Sequence, residues 1–246
     1  MDNLQLNKLK FQELKEIAKD MHIEIPKKKD ELIKLIINCF KEYENYKKDN
    51  TEKYKIIKQI GNKGKEGVTY LCTVKDGTEY AMKTFKQNKS SKNIKKEAFL
   101  QQKASEFDIA PKVIEVDTIS KYIVMEKMTS HLYDYIKKQN GNLTEKQQKQ
   151  IIRIYKGLDD AKVFHADSNI LNYMYKDKKL YIIDFGMSKE IDEKLIKKLG
   201  TKTPNLDLMT LGFILKLKEF KCPSSSYSYL MKHLKEDEIQ KFKLTS

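Results

Sequence analysis

Three oxygen-bearing side chains are spaced in a way that could do chemistry. Asp167 and Asn172 stand five residues apart in Val163-Phe164-His165-Ala166-Asp167-Ser168-Asn169-Ile170-Leu171-Asn172, and Asp184 follows in Ile182-Ile183-Asp184-Phe185-Gly186. One carboxylate that orients an accepting hydroxyl, with an amide oxygen and a second carboxylate that hold metal ions, is the set that phosphoryl transfer from a nucleotide requires. The plainer reading is a pair of turns, since Asp and Asn also bond their own backbone and cap helices.

Residues further upstream fit the same chemistry. Gly61-Asn62-Lys63-Gly64-Lys65-Glu66-Gly67 follows a stretch from Tyr54 to Ile60 that reads as a strand. Glycines at Gly61, Gly64 and Gly67 let a backbone come close to phosphates. Tyr80-Ala81-Met82-Lys83 reads as a strand ending in a lysine, and Ile94-Lys95-Lys96-Glu97-Ala98-Phe99-Leu100 as a helix bearing Glu97. Lys83 and Glu97 are natural partners for an ion pair, although each taken alone fits a solvated surface.

The elements that must position these groups are legible from periodicity. Tyr122-Ile123-Val124-Met125-Glu126-Lys127-Met128 is an apolar strand running into polar residues. Leu132 to Lys138 suits a short helix. Thr144 is placed to cap a long amphipathic helix whose apolar face carries Ile151, Ile152, Tyr155 and Leu158. That helix delivers the loop bearing Asp167. Residues 223–229, Pro-Ser-Ser-Ser-Tyr-Ser-Tyr, read as an exposed loop open to self-phosphorylation.

The first 46 residues read as a separate helical unit. Leu14, Ile17, Ala18 and Met21 follow helical spacing, Pro26 interrupts the pattern, and a second helix starts near Asp30 with Leu32, Leu35, Ile36 and Cys39 as its buried stripe. The polar stretch from Tyr43 to Thr51 marks the boundary to residues 51–246.

Composition narrows the classes. The 246 residues are 39% hydrophobic and 34% charged, with a formal net charge of +14 carried almost wholly by lysine, Arg153 being the one arginine. Such a surplus suggests anionic partners or an acidic protein substrate. Cys39, Cys72 and Cys222 are far apart, so neither a zinc site nor a disulfide framework is indicated. No signal-peptide core and no run of about 18 apolar residues is present, which predicts a soluble intracellular protein without a membrane partner.

The spacing His-x-Asp-x-x-x-x-Asn with a downstream Asp-Phe-Gly resembles the catalytic and metal-binding loops of protein kinases. The resemblance implies a two-lobed α+β fold, with an N-lobe over about 51–127 and a trimmed C-lobe over about 128–246. It also implies ATP and Mg2+ as cofactors and a protein substrate. By this resemblance Asp167 is the catalytic base, Asn172 and Asp184 are the metal ligands, and Lys83 holds the phosphates with Glu97 as its partner. Met125 backs the adenine pocket, Glu126 with Met128 or Lys127 offers backbone groups to adenine, and Gly61, Gly64 and Gly67 form the phosphate loop. Asp207, in Asn205-Leu206-Asp207-Leu208-Met209-Thr210-Leu211-Gly212, matches the helix start that braces a kinase catalytic loop and would bond the backbone near His165.

Departures from the family pattern carry their own expectations. Ala166 replaces the arginine that answers a phosphorylated activation segment, so that switch is not expected. Asn169 replaces a lysine common in serine/threonine kinases. The glycine loop has one extra residue after Gly61 and Thr69 in a valine place, and its Gly64-Lys65-Glu66 piece resembles RIO-type kinases. Together with the short C-terminal part, these traits resemble serine/threonine kinases of large DNA viruses, which implies host cytoplasm, nucleus or virion as the location. Residues 1–46, with Pro26-Lys27-Lys28-Lys29 and Lys29-Asp30-Glu31-Leu32-Ile33-Lys34-Leu35-Ile36, resemble the SAP module. That likeness implies DNA contact through Lys27, Lys28, Lys29 and Lys34. Lysines and acids nearly balance over residues 1–50, so a protein-docking hairpin is the competing reading. Three alternatives remain for the whole: a small-molecule phosphotransferase of the aminoglycoside or choline kinase type, a catalytically silent scaffold, and a DNA-binding protein whose kinase fold is secondary.

Overall fold

The structure, a computed structural model, describes residues 3–21, 23–50, 53–61, 64 and 66–244. It divides into two compact units, residues 1–92 with 117–122, and residues 93–116 with 123–246. Asn62, Lys63 and Lys65 of the glycine loop lie outside the described residues.

The first unit opens with three helices, α1 (Asn3–Lys8), α2 (Phe11–Asp20) and α3 (Lys29–Asn50). Leu6, Leu14, Ala18, Leu32, Ile33 and Ile36 bury completely or nearly so and form their shared core. The predicted stripe needs one correction: Leu35 is 41% exposed, and Ile33 takes the inward place. A shift of two positions along a helix turns a side chain by about 200°, so the two cannot share a face. α3 begins at Lys29 rather than at a cap near Asp30, and it continues through Asn50, across the stretch expected to be a linker. The acids Asp30 and Glu31 instead sit in its first turn, where they complement the helix dipole.

Strands β1 (Lys55–Gln59), β2 (Gly67–Thr73) and β3 (Glu79–Phe85) form an antiparallel meander. Registry is continuous between β2 and β3, from Gly67 opposite Phe85 to Thr73 opposite Glu79, and irregular in β1 between Ile56 and Lys58. Their turn is tied by the Asp76 carboxylate, which accepts from the Thr78 amide at 2.8 Å.

The second unit carries most of α4 (Ser91–Glu106), β4 (Val113–Asp117) and β5 (Tyr122–Glu126). Then come β6 (Ser130–His131), α5 (Leu132–Lys138) and α6 (Glu145–Asp160). The Thr144 cap forms as expected: its hydroxyl accepts from the Gln147 amide, and the Gln147 side chain reaches back to the Thr144 amide. Strand β7 (Val163–Phe164) leads into the Asp167 loop, and β8 (Tyr173–Lys176) and β9 (Lys179–Ile182) form a hairpin beyond it. β10 (Lys189–Glu190) pairs back onto β7, followed by α7 (Glu193–Leu199), a wide helical turn over Asn205–Met209, and α8 (Thr210–Glu219). The chain closes with α9 (Ser228–Met231) and α10 (Glu236–Lys241).

The core of this unit gathers Ile151, Ile152, Ile154, Tyr155 and Leu158 of α6 with Tyr173, Phe185, Phe213 and Ile214. The segment expected as an exposed loop, 223–229, is folded onto it. Ser226 is fully buried, its hydroxyl accepting from the Leu143 amide at 3.0 Å, and Gln148 accepts from the Tyr229 amide at 2.8 Å. Ser226 and Tyr227 alone are drawn in, Ser226 because its hydroxyl satisfies a buried backbone group, while Pro223, Ser224, Ser225 and Ser228 stay exposed as expected.

Candidate active site

Asp167 and Asn172 are brought into contact. The amide nitrogen of Asn172 donates to Asp167 Oδ2 at 2.8 Å, and the Asn169 backbone amide donates to Asp167 Oδ1 at 3.1 Å. With its nitrogen committed, the Asn172 side chain turns its oxygen away from Asp167. The Ile183 amide donates to the Asn172 carbonyl at 2.8 Å, which fixes the residue next to Asp184 to the same loop.

His165 is the pivot between the two segments. Fully buried, it has Nε2 at 3.0 Å from the Ile183 carbonyl and Nδ1 at 3.2 Å from the Asp167 carbonyl, and its ring meets the edge of Phe185 at 4.9 Å. Burial pushes its pKa down, against the pull of the Ile183 carbonyl and the carboxylates of Asp167 and Asp184. Behind the loop, the hydroxyls of Tyr155 and Tyr173 meet at 2.6 Å, and burial raises both phenols so that they stay protonated.

The turns before Asp167 and at Asp184 each contain a non-glycine residue in the left-handed region, Ala166 at φ +65° and Asp184 at φ +67°. Such a conformation costs roughly 1–2 kcal/mol for an L-residue and persists only where surrounding bonds enforce it. Around Ala166 those bonds come from an unexpected source.

The loop brace is Asn205, not Asp207. The buried Asn205 side chain accepts from the His165 amide at 3.0 Å and donates to the Val163 carbonyl at 2.8 Å and to Asp159 Oδ1 at 2.7 Å. Asp159, buried at the end of α6, also accepts from the Asn205 and Leu206 amides at 3.0 Å each. Burial pushes the Asp159 carboxyl up, Asp207 adds to this, and the three N–H donors pull it back. Asp207 instead accepts from the hydroxyls of Thr201 and Thr203. The reason is local: the wide turn over Asn205–Met209 rotates Asp207 off the loop. A brace that must accept from an N–H and donate to a carboxylate is an amide, since a second carboxylate would face Asp159 with like charge. Nothing in the residue pattern flagged Asn205; the buried Asp on α6 was the missed signal.

Gly212, at the start of α8, closes the brace. A Cβ there would lie 2.6 Å from Ser168 Oγ and 3.2 Å from Ser168 Cβ. Gly212→Ala is therefore expected to cost about 1–3 kcal/mol of unfolding free energy by overpacking. Ser168→Gly in the same chain should recover most of that loss in denaturant melts, read as a double-mutant cycle.

The other predicted residues are placed as follows. Lys83 is half-buried on β3, opposite Thr69 of β2, with its ammonium 5.3 Å from the Phe85 ring centroid. Alternation along the strand puts Lys83 and Phe85 on one face. The Gly61 amide donates to the Thr69 carbonyl at 3.2 Å and the Gly64 amide to the Gly67 carbonyl at 2.9 Å. At Gly67 a Cβ would stand 1.9 Å from the Thr84 carbonyl oxygen, so glycine is obligatory there. Glu97 belongs to α4 and is 3% exposed.

Met125 is buried, its sulfur 3.5 Å from Gln101 Nε2. Glu126 has a structural side chain, accepting from the Lys112 amide at 3.0 Å and the Lys176 ammonium at 2.9 Å. Partial burial pushes its carboxyl up, but the Lys112 and Lys176 donors outweigh this and hold it below its usual range. Its amide donates to the Lys112 carbonyl, so it is not an amide offered to a ligand. Met128 is buried. In α3 and its approach, Lys27, Lys28 and Lys34 are exposed, whereas the Lys29 ammonium donates to the Asn7 carbonyl at 3.0 Å and is used within the helical unit.

The donor set fits Mg2+ and not a metal held by protein alone. Among the described residues no group of three or more His, Cys, Asp and Glu could hold an ion. Mg2+ commonly takes one or two protein oxygens and completes its shell with phosphates and water, which the Asn172 oxygen and the Asp184 carboxylate suit. No helix among the described residues is long and apolar enough to cross a membrane.

Comparison with known proteins agrees with this geometry. The profile described as "Protein kinase domain" matches residues 54–205, more than half of the chain. A Bacillus subtilis (strain 168) protein named "Probable serine/threonine-protein kinase YbdM" is 26% identical over 171 residues, covering 65% of this chain and 66% of that one. The match thus spans just under two thirds of that relative's length. With the Asp167–Asn172 contact and its tie to the Asp184 turn, these findings place the chain in the protein kinase domain family.

Proposed function

We propose that this protein is an ATP-dependent kinase that transfers the γ-phosphate to serine and threonine hydroxyls of proteins. The observation that carries this reading is the hydrogen bond from Asn172 to Asp167, which commits the amide nitrogen and leaves the amide oxygen available to a cation. Bound Mg-ATP supplies the phosphoryl group and the charge neutralisation of its phosphates. Asp167 orients the hydroxyl and takes its proton. Asn172 and Asp184 hold the metal. Lys83, paired with Glu97, and Gly61, Gly64 and Gly67 position the phosphates, and the main chain around Glu126 and Met128 meets adenine. Positioning and fixed electrostatics supply most of the acceleration.

In this reading residues 1–46 are a SAP-like module and residues 51–246 the kinase domain, of a kind related to kinases of large DNA viruses and with RIO-like traits. The module tethers the enzyme to DNA through Lys27, Lys28 and Lys34. Binding of a fluorescent A·T-rich duplex that weakens with salt supports the tether, and absence of binding removes it.

The activity is tested with the purified chain, ATP labelled in the γ-phosphate, and acidic and basic protein acceptors, with and without Mg2+. Mg2+-dependent label recovered as phosphoserine or phosphothreonine is the expected result. Label confined to small alcohols would move the chain to the small-molecule phosphotransferases, and nucleotide binding without transfer would make it a scaffold.

A further inference from the structure

The segment between the Asp184 turn and α8 is a strip of cations fastened to the catalytic loop at both ends. At its start, β10 pairs with β7, the Ser188 hydroxyl donates to the His165 carbonyl at 3.3 Å, and the Ile191 amide donates to the Lys162 carbonyl at 2.9 Å. At its end, Thr201 and Thr203 donate to Asp207, two residues from the Asn205 amide that grips His165. His165 stands two positions from Asp167. Both ends of the strip are thus tied to the segment that carries Asp167.

Five lysines stand on it against four acids, Glu190, Asp192, Glu193 and Asp207. Lys189, Lys194, Lys197, Lys198 and Lys202 are all exposed, and none has an ion-pair partner among the described residues. The acids of the same stretch are spent internally: Glu190 meets Lys103 at 3.0 Å, and Asp192 caps α7 by accepting from the Leu195 amide at 2.7 Å. Glu193 alone is exposed without such a role.

Helix stability does not account for the pattern. Lys197 and Lys198 suit the last turn of α7, but Lys194 sits in its first turn, where the helix dipole disfavours a cation. Lys194, Lys197 and Lys198 follow i, i+3, i+4 spacing and therefore share a face, with neighbours about 5–6 Å apart. Alternate side chains of an extended peptide repeat at about 6.6 Å, a near match for carboxylates reaching one after another to this face.

We propose that α7 and its flanks are the acceptor-recognition surface of the enzyme, and that they select protein segments rich in Asp and Glu around the accepting hydroxyl. This rests on the kinase reading above. The lysines take no part in the phosphoryl step; they hold the acceptor chain by charge while Asp167 meets its hydroxyl.

The test uses the full-length chain and three serine peptides alike except for flanking Glu, Gln or Lys. The Glu peptide should exceed the Gln peptide by about tenfold in kcat/KM, expressed in KM and shrinking with salt, within the range that electrostatic focusing gives. The triple variant Lys194→Gln, Lys197→Gln, Lys198→Gln should lose this preference, and the corresponding Arg triple should keep it. Binding of a fluorescein-labelled Glu peptide, followed by anisotropy, is read beside transfer. Transfer that is indifferent to flanking charge, or a preference unchanged in the Gln triple, overturns the surface and leaves the kinase reading standing. Lysine-dependent peptide binding with no transfer to any acceptor overturns the acceptor role together with the kinase reading. A single-stranded oligonucleotide that displaces the Glu peptide at lower concentration, through the same lysines, overturns the peptide assignment in favour of nucleic acid.

Discussion

Asp167→Asn is expected to slow phosphoryl transfer about a thousandfold, in the middle of the roughly hundred- to ten-thousandfold range that a positioned acid or base contributes. In the proposed mechanism the substitution removes the proton acceptor, and it also disturbs a neighbour. Asp167 Oδ2 accepts from the Asn172 amide nitrogen at 2.8 Å, and Oδ1 accepts from the Asn169 amide at 3.1 Å. An asparagine keeps one acceptor. Held by the Asn169 amide, it turns its own N–H toward that of Asn172, donor against donor. Asn172 can relieve this only by rotating its oxygen toward position 167, away from the cation. The variant should therefore need several-fold more Mg2+ for half-maximal residual rate, while thermal stability changes little at this partly exposed site. Measured transfer within tenfold of the parent, at saturating Mg2+, would remove Asp167 as the base.

The second large effect is structural. Asn205→Leu strips the His165 amide and the Val163 carbonyl of a buried partner and takes one donor from the Asp159 carboxylate. Leaving buried groups and a buried charge undersupplied costs about 4 kcal/mol in all, which lowers the melting temperature by about 10 °C for a chain of this length. Asn205→Asp separates the chemistry from the shape. It sets two carboxylates face to face, so the folded-state pKa of the pair is raised above the unfolded value. A group raised in this way destabilises the fold at neutral pH, and the penalty fades as pH falls through the raised value. Melts at neutral and mildly acidic pH should show the Asn205→Asp deficit shrinking on acidification and the Asn205→Leu deficit staying. Equal deficits at both pH values would deny the brace its proposed charge pattern.

The parts of the site written in contiguous spacing were legible in the chain. The five-residue step from Asp167 to Asn172, the strand ending near Lys83 and the Thr144 cap depend on neighbours a few positions away, and periodicity reports such neighbours well. What depends on a distant partner was not legible. Asn205 replaces Asp207 as the brace because the turn there is wound wider than an α-helix, and because Asp159, far away in sequence, calls for a donor. Leu35 and Ile33 both fit an apolar stripe, and only packing with α1 and α2 decides which one faces inward. Residues 223–229 have a loop's composition, yet Ser226 is drawn inside by the Leu143 amide, a partner no local pattern names.

The Asn205 brace also sets a clock. A surface loop ordinarily samples other shapes in nanoseconds to microseconds, independently of the body that carries it. The turn before Asp167 has no such freedom, since its first amide is bonded to a side chain that is itself bonded to the end of α6 and to Val163. Opening it means parting the last turn of α6 from the start of the Asn205 turn. The His165 amide thus shares the cooperative unit of the buried α6 core, and it exchanges with solvent on the schedule of that core's unfolding.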